Sequence, residues 1–325
     1  MAPVTPRSGK QTRQQASRNP RHHATAPNAS PEAVDPIWLL KAFCVVLLAA
    51  LLCGYLTFCL LFYQGQWQLV LHPDRSKPVP TTIGGAAFET VHFGVNESGT
   101  PQLTGWWIPS GSNGLYVSET LLYLPGGDGS LAHDEPRLAA LHSLGINIFA
   151  FDYRGYGQSA AEHPSERRMN EDAASAWQYL TVSRQTPGAK VIPFGEGVGA
   201  AIAAQLAATQ TQISGVILDS PRTDLLKIVH DDPRTRLLPA RALFHETFDI
   251  AAAVANLKTA KLFLLSESAQ SLDMERSAAE PKMIVALPAS PADGPAYLEQ
   301  ISRFLDQLHP NQSTRPGSGP PLQQK

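Results

Sequence analysis

Five residues, Gly195-Glu196-Gly197-Val198-Gly199, have the Gly-x-Xaa-x-Gly spacing of a tight strand-to-helix turn that holds a nucleophilic hydroxyl, with glycine in the third place instead of serine. The context fits such a turn: 190–194 (KVIPF) reads as a short buried strand and 200–206 (AAIAAQL) as a small-residue helix lying close on a sheet. Acyl transfer at such a turn needs a hydroxyl, a histidine to take its proton, a carboxylate to fix the histidine's tautomer, and two backbone N–H groups for the oxyanion. Gly197 removes the first of these.

The elements that would position the turn follow from the hydrophobic pattern. Apolar runs at 88–93, 103–108, 120–124, 147–151, 190–194, 215–218, 261–265 and 282–287 alternate with helical patterns at 132–144, 166–180, 198–209, an interrupted stretch from 235 to about 254, and 295–308. This alternation predicts an α/β fold with a mostly parallel eight-stranded sheet and helices on both faces. A polar loop at 94–102 joins the first two strands as an antiparallel start.

Residues 42–63 carry no charge and are long enough to cross a bilayer as one helix. Trp38 on one side and Tyr63 and Trp67 on the other stand where an aromatic belt would, and Phe62-Tyr63-Gln64-Gly65-Gln66 offers no signal-peptidase site. The sequence therefore predicts an uncleaved single-pass transmembrane helix. Net charge is −2, but residues 1–35 carry +3 and Lys41 adds one, which leaves −6 for the rest. The basic flank places the N-terminus in the cytoplasm and the globular domain outside it. An acidic domain argues against nucleic acid or an anionic membrane surface as partner. All three cysteines, Cys44, Cys53 and Cys59, fall in the span, so the domain has no thiol chemistry. Residues 1–35 and 309–325 are polar, proline-bearing and without apolar period, and read as disordered tails around a domain at 66–308.

Several ordered landmarks carry a family resemblance: Leu69-Val70-Leu71-His72-Pro73 after the span, Leu103-Thr104-Gly105-Trp106-Trp107-Ile108-Pro109, Leu122-Tyr123-Leu124-Pro125-Gly126-Gly127, Phe151-Asp152-Tyr153-Arg154-Gly155-Tyr156-Gly157-Gln158-Ser159, the glycine turn, Ile217-Leu218-Asp219-Ser220-Pro221 and Phe248-Asp249. On these the chain resembles the α/β-hydrolase superfamily, and within it the membrane-anchored, serine-aminopeptidase-like or palmitoyl-thioesterase-like branch. The resemblance covers about 66–308. It implies hydrolysis of esters, thioesters or amides through a Ser, then Asp or Glu, then His in chain order, with an apolar cleft and no cofactor or metal.

On that pattern Gly197 stands at the serine position and Gln270 near the acid. Pro291 lies in the loop that should carry the histidine, and no histidine occurs between His245 and His309. Glu267 and Asp273 read as solvated loop charges. The oxyanion donors would be the N–H groups of Gly127 and Val198, with Gly195, Glu196 and Gly199 completing the turn. Glu196 has a sufficient structural reason in the favourable helix dipole. The expectation is a catalytically inactive, membrane-anchored hydrolase-fold protein with a binding or scaffolding role, holding a small acyl or carboxylate ligand in its vestigial pocket. The alternative is an active serine hydrolase with a displaced set drawn from Ser220, Ser268, His133 or His163. A purely structural anchored domain would have no occupied pocket. The sequence names no protein partner.

Overall fold

The computed structural model describes residues 35–266, 273–287 and 294–309, and the chain divides into two units, Met1–Tyr55 and Leu56–Lys325. Helix α1 (Pro36–Gly65) starts on a cap: the Asp35 carboxylate accepts from the Ile37 N–H at 2.9 Å, and Pro36 takes the first helical position, where its missing N–H is no loss. Its 30 residues run about 45 Å, more than the ~30 Å of a bilayer's hydrocarbon core. Among the described residues it is the one helix long and apolar enough to cross a membrane. It contains the expected 42–63 span and begins six residues earlier.

The second unit is built on eight strands: β1 (Glu89–Val95), β2 (Pro101–Ile108), β3 (Tyr116–Leu124), β4 (Ile146–Asp152), β5 (Val191–Glu196), β6 (Gly215–Asp219), β7 (Ala260–Ser266) and β8 (Lys282–Leu287). Each expected strand is present, with ends displaced by at most four residues. Their order in the sheet is β1-β2-β4-β3-β5-β6-β7-β8; β2 pairs antiparallel with both β1 and β4, and all other pairs are parallel. A separate two-residue parallel ladder joins His72–Pro73 to Asp128–Gly129.

The helices are α2 (Glu135–His142), α3 (Glu166–Gln178), α4 (Gly199–Thr209), α5 (Leu225–Asp231), α6 (Ala240–Leu243), α7 (Ile250–Ala255), α8 (Asp273–Ser277) and α9 (Pro295–Leu308). One face of the sheet is covered by α2 and α9 through Leu138, Leu141, Tyr297 and Ile301. The other is covered by α3, α4 and α7 through Met169, Ala173, Ile202, Ile250 and Val254. α4 lies so close to the sheet that alanine fills most of its buried positions.

Two expectations need correction. The interrupted helix from 235 to 254 is two short helices, α6 and α7, and α5 forms ahead of them. Leu225 and Val229 of α5 bury one i, i+4 pair, a signal too brief to register as a period, and Pro233 and Pro239 prevent a continuous helix. His309 does not open a tail: it follows α9 inside the described fold, with Nε2 3.2 Å from the buried Glu119 Oε2.

Candidate functional site

Register places the site. In the β3–β5 pair Leu124 sits opposite Gly195, so Pro125-Gly126-Gly127 and Glu196-Gly197-Val198 leave neighbouring strands at the same level. The chain after β3 turns to α2 on one face and the chain after β5 turns to α4 on the other, the crevice where open α/β sheets bind ligands.

The glycines of the turn have different reasons. A Cβ on Gly195 would lie 2.2 Å from Gly199 O, and one on Gly199 2.3 Å from Leu124 O, so α4 and the sheet approach too closely for any side chain. Gly197 is held in the left-handed region, φ +54°, yet a Cβ there would meet nothing nearer than Gly126 O at 3.4 Å. Space for a side chain exists, and only the backbone conformation favours glycine. The turn is fixed by Gly197 N–H donating to Asp219 O at 3.0 Å and by Arg222 N–H donating to Gly197 O at 3.3 Å.

Gly127 lies across from it with φ +87°. Its carbonyl accepts from the His72 N–H at 2.9 Å and the Tyr156 hydroxyl at 2.9 Å. The motif from Asp152 to Ser159 thus serves the loop structurally. Tyr156 anchors Gly127; Asp152 accepts from the Leu131 N–H at 2.9 Å; Arg154 is tied to Asp172 at 2.7 Å and Glu171 at 2.8 Å. No hydrogen bond from the N–H groups of Gly127 or Val198 is found among the described residues, and both residues are buried.

Beneath the turn every strong polar group has a partner. Glu196 pairs with Arg137 at 2.9 Å and accepts from the Tyr123 hydroxyl at 2.9 Å. Arg137 also pairs with Asp219, which accepts from the Tyr297 hydroxyl at 2.7 Å and the Ser220 hydroxyl at 2.9 Å. Glu196 is therefore held by a half-buried ion pair, which replaces the helix-dipole reason expected from sequence. Burial raises the Glu196 pKa despite Arg137, and burial also drives the Tyr123 and Tyr297 hydroxyls well above the ordinary tyrosine value. Asp134 is pushed up to about 8 by burial and then by the charge of Glu196. Burial first, and then Glu196, therefore favour the protonated form of Asp134.

Above the turn lies a cleft of about 220 Å³ lined by Gly126, Asp128, Asp134, Glu196, Gly197, Ser220 and Arg222. The lining is polar, not the apolar cleft that the resemblance implies. The reason is in the sequence that closes it: Asp128 follows the glycine pair, and Asp134 ends the loop before α2.

Of the proposed substitutes among the described residues, Ser220 alone lines this cleft. It has φ +46°, and its hydroxyl is directed at Asp219. His133 is taken up in its own loop, with Nδ1 accepting from the Ser130 N–H at 3.1 Å and Nε2 3.3 Å from Asp74. The His163 ring lies 5.3 Å from that of Trp67. Asp273 opens α8, where a carboxylate suits the first turn. Gln270, Pro291, Glu267 and Ser268 lie outside the described residues.

Sequence reasoning missed one pair: His72 Nδ1 sits 2.6 Å from Asp128 Oδ1, and Asp128 Oδ2 is 3.6 Å from Arg222. The only signal was His72 in the segment after the span, and nothing local pointed to a partner 56 residues away. No group of three or more His, Cys, Asp or Glu among the described residues is arranged to hold a metal ion.

The family model of serine aminopeptidase S33 matches residues 120–292. An uncharacterized protein of Mycobacterium tuberculosis (strain CDC 1551 / Oshkosh) is 30% identical over 280 residues, covering 82% of this chain and 95% of the relative. Protein bem46 of Schizosaccharomyces pombe is 33% identical over 112 residues, 34% of this chain and 37% of its own. Among solved structures, the Pyrococcus furiosus esterase Pf2001 superposes with a TM-score of 0.56 at 17% identity, covering 74% of this chain and 97% of that one, a likeness of fold alone.

Proposed function

The chain belongs to the serine aminopeptidase S33 family of α/β-hydrolases, and we propose that within it this protein is a membrane-anchored, catalytically inactive binding or scaffolding member. One observation carries the reading. Gly197 stands where the Gly-x-Xaa-x-Gly pattern puts a nucleophile, with φ +54°, there is room for a side chain on it, and it has none. Removing the nucleophile alone costs a serine protease roughly 10⁶ in turnover, and oxyanion donors and binding retain about 10³–10⁴ over water. The ligand that suits the cleft is small, with a carbonyl or carboxylate oxygen on the two N–H groups and Arg222 nearby; a protonated Asp134 lessens the repulsion.

The wild-type chain is expected to resist a fluorophosphonate probe, and Gly197→Ser alone to leave activated-ester hydrolysis at the level of a mock purification. Adding Gln270→Asp and Pro291→His has the better prospect of turnover. Robust turnover by the single mutant would refute the reading and point to a base already in place, with the His72–Asp128 pair the first to test. A second reading, an active hydrolase using Ser220, is favoured by its place in the cleft; probe labelling abolished by Ser220→Ala would establish it. As for anchoring, α1 with its basic flank supports a cytoplasmic N-terminus and an outward domain. Protease added outside intact cells should then digest the domain, and its protection would reverse the orientation.

A further inference from the structure

The last turn of α1 is built into the globular unit. Phe62 packs against its core, and the Tyr63 ring lies 4.5 Å from that of His245. Gln66 is 1% exposed and held on several sides. Its amide nitrogen donates to Tyr63 O at 2.9 Å and Leu243 O at 3.1 Å and lies 2.6 Å from His245 Nδ1, while its oxygen accepts from the His245 N–H at 2.7 Å. These bonds join the end of the apolar helix to the end of the segment that carries α5 and α6.

That segment presents an unusual surface. α5 buries Leu225 and Val229 and turns Leu226 outward. Leu237, before α6, is 79% exposed, the highest value of any large hydrophobic residue among those described. Lys227, Arg236 and Arg241, near them in sequence, stand exposed with no carboxylate within ion-pair distance among the described residues, whereas Arg234 is taken up by Asp232 at 2.6 Å. Residues 222–243 hold five basic and three acidic side chains within a domain that is acidic as a whole. The acidic total excludes diffuse attraction to a charged surface, but it hides this basic and apolar strip. Leu237 is six residues from Leu243, so its Cα lies within about 20 Å of the residue bonded to Gln66 even at full extension, and the turn of α6 between them shortens the reach.

We infer that the segment from Leu225 to Leu243 docks on the headgroup layer of the bilayer that carries α1. Leu226 and Leu237 enter that layer, and Lys227, Arg236 and Arg241 pair with lipid phosphates. The inference rests on the anchored reading. The tether makes the contact intramolecular, so a few leucines and unpaired cations are enough to hold the domain against the surface.

The test uses the full chain with Cys44→Ala, Cys53→Ala and Cys59→Ala in nanodiscs of phosphatidylcholine with a minority of phosphatidylglycerol. A spin label is placed through Leu226→Cys, Leu237→Cys or, as an exposed control elsewhere, Val182→Cys. Docking predicts a several-fold higher ratio of oxygen to aqueous nickel-chelate collisions at 226 and 237 than at 182. It also predicts that Arg236→Glu with Arg241→Glu lowers that ratio toward the control. Equal ratios at all three sites would overturn the inference. So would protection that vanishes when each disc holds a single chain, which would assign the face to a second copy. Alkaline carbonate extraction separates the two levels: a chain that washes off membranes defeats the anchored reading, whereas one that stays with solvent-like labels defeats the docking alone.

Discussion

Below the Gly197 turn and above it, the same sheet edge treats polar groups in opposite ways. Below, Arg137, Asp219, Tyr123 and Tyr297 form a network that the half-buried Glu196, itself on the cleft wall, completes, each charge having a partner on a different element. Above, Gly126, Gly197, Ser220 and Arg222 line an open cleft, and Gly197 has no side chain to enter it. The lower network ties α2 to β3, β5, β6 and α9, so it is part of what holds the sheet and its helices together whether or not chemistry occurs above. The contrast shows that the contacts holding the scaffold together do not depend on a side chain at position 197.

The largest effect is expected where the lower side is broken. Arg137→Ala leaves Glu196 and Asp219 without their shared cation and should destabilise the domain by about 3–5 kcal/mol in urea unfolding. The same change in a Glu196→Gln background should cost less, because the two residues are in direct contact; equal costs would deny the pairing.

Next is the packing that fixes the turn. Gly199→Ala forces a Cβ against Leu124 O and should cost about 2–3 kcal/mol through overpacking. A neutral result would mean that α4 can withdraw from the sheet.

Asp134 links the two sides through pH. Its raised pKa means that the folded state holds a proton the unfolded chain releases. Its contribution to stability is therefore complete below about pH 4 and is lost as pH rises to about 8. Asp134→Asn should remove this loss, gaining on wild type by more than about 1 kcal/mol across that window. A constant difference between mutant and wild type would show that Asp134 titrates normally.

The smallest change concerns Gly197. Gly197→Ala places a Cβ in the left-handed region, a strain of ~1–3 kcal/mol partly offset by the reduced entropy of the unfolded chain. A net loss of about 1 kcal/mol with an unchanged m-value is expected. A loss as large as that of Gly199→Ala would mean that space, not backbone conformation, requires glycine at 197.

The sequence by itself determined the strand and helix order, the apolar helix, and the glycine turn with glycine in the third place. Hydrophobic period and chain order are local properties that a sheet protein must satisfy everywhere. It also determined that no histidine follows β8 before His309. Tertiary structure alone decided the rest. Glu196 owes its place to Arg137, 59 residues away, and His72 meets Asp128 only because the segment after α1 runs beside the glycine loop. Lys261, an ordinary strand residue by pattern, buries its ammonium against the carbonyls of Leu257, Ala279 and Pro281. The cleft became polar because two loop aspartates converge on it. Such partners are set by which loops meet in space, and a buried charge chooses its partner after the fold has brought candidates together, so no local pattern announces the choice.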